Sequence, residues 1–277
     1  MPNSAIQETC IFVGCGDMGG AMLAGWIEAG SLDPAKTFVV VRTPKRRAEL
    51  TDTFKVTCFK SVTDVNVNVD LVILAVTPDV MLPVIKDLSE NPSFKDALFV
   101  SIAAGLTTAT LEEALPQGSR VVRTMPNLPL VVKEGATTLC SSRTSTSQDV
   151  ALVKTLFEDI GEAWVVDEDQ INATSTISGS GPGYVAAIIE ALTTAGEEQG
   201  LSGDLAYELA LQMIYGTASQ LKQTNETATK LRESMTKYYG STAAALEAMY
   251  GAGLTSVFSK GVAAAVARSK ELAECSQ

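Results

Sequence analysis

The chain has 277 residues, a length that fits one large domain or two modest ones. Apolar residues make up 46% of it and charged residues 19%, so a folded core is expected rather than disorder. The formal net charge of −11 argues against a non-specific nucleic-acid binder and against a basic membrane-surface protein. We therefore expect a small-molecule partner, with no nucleic acid and no membrane.

Histidine is absent, which excludes Ser-His-Asp triads, histidine acid–base chemistry and histidine-containing zinc sites. The cysteines are odd in number and include no C-x-x-C pair, so we expect neither a disulfide framework nor a metal site; they are Cys10, Cys15, Cys58, Cys140 and Cys275. Residues 1–8 show no basic region followed by an apolar run, and the densest apolar run, 71–76, is too short to cross a bilayer. A cytoplasmic location fits this pattern best.

The first 165 residues alternate short apolar, β-branched runs with amphipathic stretches. This alternation predicts an α/β fold with a parallel sheet. Because the runs are apolar on successive residues, helices should cover both faces, as in a doubly wound, Rossmann-like sheet. The predicted strands are residues 10–13, 37–41, 55–59, 71–76, 97–102 and 120–124.

From about residue 168 the β-runs end, and Ala- and Leu-rich stretches predict helices over 183–199, 203–223, 226–236, 241–251 and 254–274. We place a Rossmann-like domain at 1–166 and an all-α domain at 167–277. Helices that are apolar on more than one face cannot all be buried in a domain of about 110 residues. The second domain is therefore expected to dimerise, the alternative being an Ala-rich cap on the sheet.

The motif Gly14-Cys-Gly16-Asp-Met-Gly19 follows the first predicted strand and opens a helical stretch at 18–29. In this context G-x-G-x-x-G is a dinucleotide-binding fingerprint. Gly14 permits the tight turn, Gly16 lets the backbone approach a pyrophosphate, and Gly19 allows close packing of helix on strand. Asp17 and Met18 complete the cofactor loop.

The second predicted strand ends in Arg42-Thr-Pro-Lys-Arg-Arg47, where NAD-selective sites place a carboxylate for the ribose hydroxyls. Four cations in six residues of an acidic protein favour a site for a 2′-phosphate. We predict NADPH, with Arg42, Thr43 and either Lys45 or Arg46 at the phosphate; use of NADH stays open.

Ligands of open α/β sheets lie beyond the carboxyl ends of the strands. Turns that follow the fourth, fifth and sixth predicted strands are therefore expected near the nicotinamide. Their residues are Val76, Thr77 and Pro78; Ala103, Ala104 and Gly105; and Met125, Pro126 and Asn127.

Two further motifs indicate a family. Arg123-Thr-Met-Pro-Asn-Leu-Pro129 and Ser178-Gly-Ser-Gly-Pro-Gly-Tyr184, taken with the glycine loop, resemble pyrroline-5-carboxylate reductase over nearly the whole chain. The resemblance implies a Rossmann domain, a helical domain that interlocks with a second subunit, and NAD(P)H-dependent reduction of a cyclic imino acid. A dimer or a ring of dimers is implied.

The resemblance also implies which residues bind the substrate. Its carboxylate would be held by Ser178, Gly179, Ser180 and Gly181, and by a second turn that is Ser-Pro-Gly-Gly-x-Thr in the family. Here the second turn reads Lys237-Tyr-Tyr-Gly-Ser-Thr242, so Gly240, Ser241 and Thr242 are the matching positions. Thr242 would be the catalytic donor near the imine nitrogen.

Several positions depart from the family pattern: Tyr238 and Tyr239 replace a Pro-Gly pair, and Thr77, Leu128 and Gly183 replace the usual Lys, Thr and Ala. Tyr239 cannot adopt glycine's positive φ cheaply, so the turn must be rebuilt or its donors must point elsewhere. Two alternatives stay open beside the proline-forming reductase. One is a related reductase of a different cyclic imino acid, and the other is a catalytically weak dinucleotide-binding paralogue.

Overall fold

The computed structural model describes residues 6–275, and side chains up to residue 271. Residues 1–5 of the N-terminal segment considered above, and the thiol of Cys275, lie outside the described part. The chain folds into two compact units: one runs up to Ser180 and resumes at Val266, and the other is Gly181–Ala265. The domain boundary expected at 166/167 stays a prediction.

The first unit is built on one sheet in the order β3-β2-β1-β4-β5-β6-β7-β8. Its strands are β1 Cys10–Val13, β2 Thr37–Val40, β3 Thr57–Phe59, β4 Leu71–Leu74, β5 Leu98–Ser101, β6 Arg120–Met125, β7 Gly135–Ser141 and β8 Gly161–Val165. The helices that connect these strands are α1 Asp17–Ala29, α2 Pro44–Phe54, α3 Pro78–Glu90, α4 Thr108–Ala114 and α5 Ser147–Glu158. The predicted Rossmann-like sheet is confirmed.

Successive strand residues enter two separate cores, one on each face of the sheet. In β1, Phe12 belongs to the core that contains Trp26 of α1, whereas Ile11 belongs to the core that contains Ile85 of α3. Both strand residues are fully buried. This is the two-sided burial expected of a doubly wound sheet.

The expectation of a wholly parallel sheet is wrong at one place. The pair β6 and β7 is antiparallel, and the predicted strands include neither β7 nor β8. Four predicted strands also extend too far, the second by one residue and the fifth by one residue at each end. The fourth ends at Leu74 rather than at residue 76, and the third begins at Thr57, because Lys55 caps α2 in the left-handed conformation with φ 60°.

Helices after the sheet follow the predicted pattern closely. Short α6 Ile171–Thr174 precedes α7 Gly181–Glu198, α8 Gly203–Thr224, α9 Ala228–Thr236, α10 Ser241–Gly251 and α11 Leu254–Cys275. Within the second unit α7 packs along α8. Large apolar side chains of this unit stay half-exposed or more, including Leu209, Met213, Tyr215 and Val257. No helix of the described residues is long and apolar enough to cross a membrane.

Candidate dinucleotide site

The glycine loop joins β1 to α1 beside the end of β4. Gly14 has φ +86°, donates its N–H to the Val40 carbonyl at 3.0 Å, and leaves no room for a Cβ, which would lie 2.6 Å from the Ala75 carbonyl oxygen. A Cβ on Gly19 would meet the Cβ of Ala75 at 3.0 Å. Gly14 and Gly19 therefore have the turn and the close helix–strand packing that the motif predicts.

Gly16 differs from Gly14 and Gly19 because it faces open space. It is the N-cap of α1, with extended backbone at φ −74°, and a Cβ built on it meets nothing within 4 Å. A glycine is not required here by the protein's own packing. Space above a helix N-terminus is where backbone N–H groups bind a phosphate, so the loop fits a pyrophosphate.

A groove of ≈ 850 Å³ opens over this loop, within the first unit. Its residues come from the glycine loop, the ends of β2, β3 and β4, and α3: Val13, Gly14, Cys15, Gly16, Asp17, Val40, Val41, Arg42, Thr43, Arg46, Lys60, Ser61, Val62, Ala75, Val76, Thr77, Val80, Val84 and Asp87. The groove lies beyond the carboxyl ends of parallel strands, where doubly wound folds bind nucleotides.

Eight of the predicted cofactor residues line the groove: Gly14, Gly16, Asp17, Arg42, Thr43, Arg46, Val76 and Thr77. The others lie outside its lining, namely Met18, Gly19, Lys45, Pro78, Ala103, Ala104, Gly105, Met125, Pro126 and Asn127. Of these, Ala103, Ala104 and Gly105 follow β5, Met125 is the last residue of β6, and Pro126 and Asn127 follow β6. Strands β5 and β6 come after β4 in the order of the sheet, so these residues are further along the same edge. Their contact with a cofactor stays a prediction.

Four cations of the predicted basic segment have different surroundings. Arg46 donates from Nε to the Cys15 carbonyl at 3.3 Å and pairs with Glu49 at 3.4 Å, so it lies across the glycine loop. Arg47 donates to the carbonyls of Val41 and Arg42, both at 2.7 Å. Two of the four therefore support backbone, which the sequence pattern does not predict.

Burial raises the pKa of the Cys15 thiol to about 11, and the nearby Arg46 only partly opposes this effect. The thiol is therefore neutral at physiological pH. Cys15 contributes packing to the floor of the loop rather than a nucleophile.

Ser178, Gly179, Ser180 and Gly181 are expected from the family resemblance to form a glycine-rich turn at a helix N-terminus. In the structure a π-helical turn spans Ser175–Gly179 and is closed by a bond from the Ser180 N–H to the Ser175 carbonyl at 3.0 Å. Gly181 then begins α7. Contact of Ser178–Gly181 with a substrate carboxylate stays a prediction. Single π turns inside helices often occur at functional sites because they redirect side chains.

This π turn lies against the loop after β6. The Asn127 side chain donates to the Ser178 carbonyl at 2.8 Å and accepts from the Ala136 N–H at 2.7 Å. A Cβ on Gly179 would lie 3.5 Å from Cε of Met125. The two motifs that indicate the family thus meet in the first unit, at Met125 and Asn127 on one side and Ser178 and Gly179 on the other.

The turn whose sequence departs from the family pattern lies in the second unit, at the start of α10. Gly240 is the N-cap of α10, whose first residues are Ser241 and Thr242. Tyr239 is not among the described residues with positive φ, and its phenol donates to Glu247 at 2.6 Å, which raises the pKa of Tyr239. Tyr238 is 80% exposed. Tyr239 therefore lies outside the left-handed region, and Thr242 lies in the first turn of α10.

Lys60, Ser61, Asp87 and the valines of α3 are groove residues that the sequence pattern does not single out. A signal for Lys60 exists, because it directly follows the predicted third strand and ligands lie beyond strand ends. The predicted site includes the ends of the fourth, fifth and sixth strands but leaves out the end of the third.

The sheet, the glycine loop and the basic groove define a dinucleotide-binding oxidoreductase of the Rossmann type. Residues 9–105 match the family model "NADP oxidoreductase coenzyme F420-dependent", and residues 168–272 match the model "Pyrroline-5-carboxylate reductase dimerisation". The chain belongs to the pyrroline-5-carboxylate reductase family.

Relatives and solved structures agree with this membership. The chain is 32% identical to the pyrroline-5-carboxylate reductase of Escherichia coli K12, over 95% of this chain and 97% of that protein. It is 36% identical to the pyrroline-5-carboxylate reductase of Mycobacterium tuberculosis H37Rv, over 94% of this chain and 95% of that protein. The Coxiella burnetii reductase structure matches with a TM-score of 0.91 at 32% identity, over 96% of this chain and 99% of that one. The structure of Plasmodium falciparum pyrroline carboxylate reductase with NADP bound matches with a TM-score of 0.85 at 28% identity, over 98% of this chain and 100% of that chain.

Proposed function

We propose that the protein uses NADPH to reduce 1-pyrroline-5-carboxylate to L-proline, the last step of proline biosynthesis. The supporting observation is the groove over the glycine loop, with cations rather than a carboxylate at the end of β2, in a chain of this family. The bound cofactor supplies a hydride to the imine carbon, and a proton goes to the imine nitrogen, so the C=N bond becomes the secondary amine of proline.

The residues of the chain bind the cofactor, hold the substrate carboxylate and donate a hydrogen bond to the imine nitrogen. Gly16 and the start of α1 hold the pyrophosphate, and Arg42 binds the 2′-phosphate. Ser178–Gly181 and Gly240–Ser241 are the proposed carboxylate ligands, and Thr242 is the proposed donor to the nitrogen. A cyclic imine is readily protonated, so a placed hydroxyl and a held carboxylate are sufficient chemistry for a protein without histidine.

We also propose that the active form is at least a dimer formed through the second unit, and that it resides in the cytoplasm. The half-exposed apolar side chains of α8, among them Leu209, Met213 and Tyr215, support the first proposal. Exposed apolar surface of this extent is typical of an interaction face. The described thiols Cys10, Cys15, Cys58 and Cys140 are all free, which fits a reducing compartment.

The function is tested by following NADPH oxidation with purified protein and DL-pyrroline-5-carboxylate. We expect rapid loss of the reduced-nicotinamide absorbance and formation of proline. A parallel reaction with the six-membered piperideine carboxylates tests whether the altered turn at Tyr238 and Tyr239 has changed the ring size accepted. Turnover of those substrates alone would replace the proposed substrate, and binding of NADPH with no turnover would contradict the proposed activity.

Thr242→Ala is expected to lower kcat by about 100-fold, since removal of one transition-state donor typically costs 10²–10³ in rate. The Kd for NADPH, measured by fluorescence titration, should stay within about twofold of the wild-type value, because the change leaves the glycine loop intact. Thr229→Ala, on the exposed surface of α9, is the matched control. Equal rates for the two variants would exclude Thr242 as the donor.

A further inference from the structure

Lys60 is a groove residue beside the predicted phosphate site. β2 and β3 pair in parallel, and the Val41 N–H donates to the Phe59 carbonyl at 3.0 Å. Arg42 and Lys60 directly follow the two residues joined by this bond, just beyond the ends of β2 and β3, so they are neighbours at the carboxyl edge of the sheet. Both line the groove and both are exposed.

The other cations of the basic segment either bond other groups of the protein or lie outside the groove lining. Arg46 is bonded to the Cys15 carbonyl and paired with Glu49, and Arg47 is bonded to backbone carbonyls. Lys45 does not line the groove. The side chains of Arg42 and Lys60, in contrast, make no hydrogen bond or ion pair with any residue in the described part of the chain.

We propose that Lys60 is a second ligand of the 2′-phosphate and, with Arg42, determines the preference for NADPH over NADH. This inference rests on the proposed function, which it refines by assigning the phosphate to β2 and β3 instead of to the start of α2. A phosphate presents three oxygens to its ligands, so an arginine that binds two of them leaves one for a lysine, which binds as a point charge.

The carboxylates of the groove do not oppose this assignment. Asp17 belongs to α1 and Asp87 to α3, and neither lies on the edge formed by β2 and β3. No carboxylate follows β2 before Glu49, which is itself paired with Arg46. The edge is therefore positive where the 2′-phosphate of a bound dinucleotide is expected.

The test uses the full-length protein and two cofactor fragments, 2′,5′-ADP and 5′-AMP, with binding measured by calorimetry so that no activity is needed. Lys60→Gln is expected to weaken 2′,5′-ADP binding about tenfold, because it removes a charge-assisted hydrogen bond to the phosphate. Binding of 5′-AMP should stay unchanged. In NADPH and NADH titrations the variant should lose most of its preference for NADPH.

Lys86→Gln on α3 is the charge-matched control, since Lys86 is exposed and outside the groove lining. A tenfold loss confined to Lys60→Gln and to the 2′-phosphorylated ligand supports the proposal. An unchanged affinity, or an equal loss for both fragments, overturns it while leaving the proposed function intact. A wild-type protein that does not prefer 2′,5′-ADP to 5′-AMP would contradict the NADPH assignment itself.

Discussion

Gly16→Ala is expected to raise the Kd for NADPH by about 100-fold while lowering the melting temperature much less than Gly14→Ala does. The added methyl group has room in the free protein, because nothing lies within 4 Å of it. It would, however, occupy the space over the N-terminus of α1 in which the pyrophosphate binds. Calorimetric titration with NADPH, together with thermal unfolding in its absence, measures the two effects separately.

Gly14→Ala is the comparison that makes this result specific. Its Cβ would lie 2.6 Å from the Ala75 carbonyl oxygen, and its φ of +86° is unfavourable for alanine, so this variant should lose both stability and binding. A Gly16→Ala protein that unfolds as early as Gly14→Ala would show that both glycines are structural. Unimpaired NADPH binding by Gly16→Ala would place the pyrophosphate elsewhere.

Arg123→Met is expected to destabilise the fold by about 2 kcal/mol, because it removes a charge-assisted hydrogen bond between a buried guanidinium and a partly buried carboxylate. Arg123 in β6 is 4% exposed and bonds Glu168 at 3.1 Å. Glu168 also accepts from the Thr108 N–H at 2.7 Å and the Thr108 hydroxyl at 2.6 Å. Urea unfolding at neutral pH measures the loss, and Arg268→Met, which breaks an exposed pair with Glu271, should change stability by less than about 0.5 kcal/mol.

The same cluster gives a pH dependence. Burial alone would raise the pKa of Glu168, but the bonds from Thr108 and Arg123 outweigh it and hold the pKa below its ordinary value. The stabilisation is therefore present above the unfolded-state pKa of about 4.3 and is lost as the pH falls through the lower folded-state value. Glu168→Gln should be less stable than wild type at pH 7, and the difference should shrink below about pH 4. A difference independent of pH would contradict the ionised pair.

Most of the fold is predictable because its signals are local. β4 consists of consecutive buried aliphatic residues, and the predicted bounds of α10 agree with the structure at both ends. β7 and β8 escape prediction for physical reasons. β7 is rich in Gly, Ala and Thr, and β8 is an edge strand with Trp164 and Val165 half-exposed, so neither has the apolar run of a central parallel strand.

The candidate site is predictable only where backbone geometry dictates the residue type. Gly14 needs a positive φ, so its motif is visible in the sequence. The roles of Arg46 and Arg47 as backbone supports, and of Lys60 as a groove residue, depend on how the ends of β2 and β3 and the glycine loop come together in space. Composition distinguishes none of these cations from an ordinary solvated lysine or arginine.

The basic residues near the groove differ in whether their side chains bond the backbone, and this difference has an evolutionary consequence. Arg47 secures the last carbonyls of β2, and Arg46 secures the glycine loop, so replacing either would disturb the scaffold itself. Among the described residues, the side chains of Arg42 and Lys60 bond no backbone group, and we expect their replacement to leave the sheet intact. Under the proposed assignment, positions 42 and 60 are therefore where the preference between phosphorylated and unphosphorylated coenzymes can change at little cost to folding.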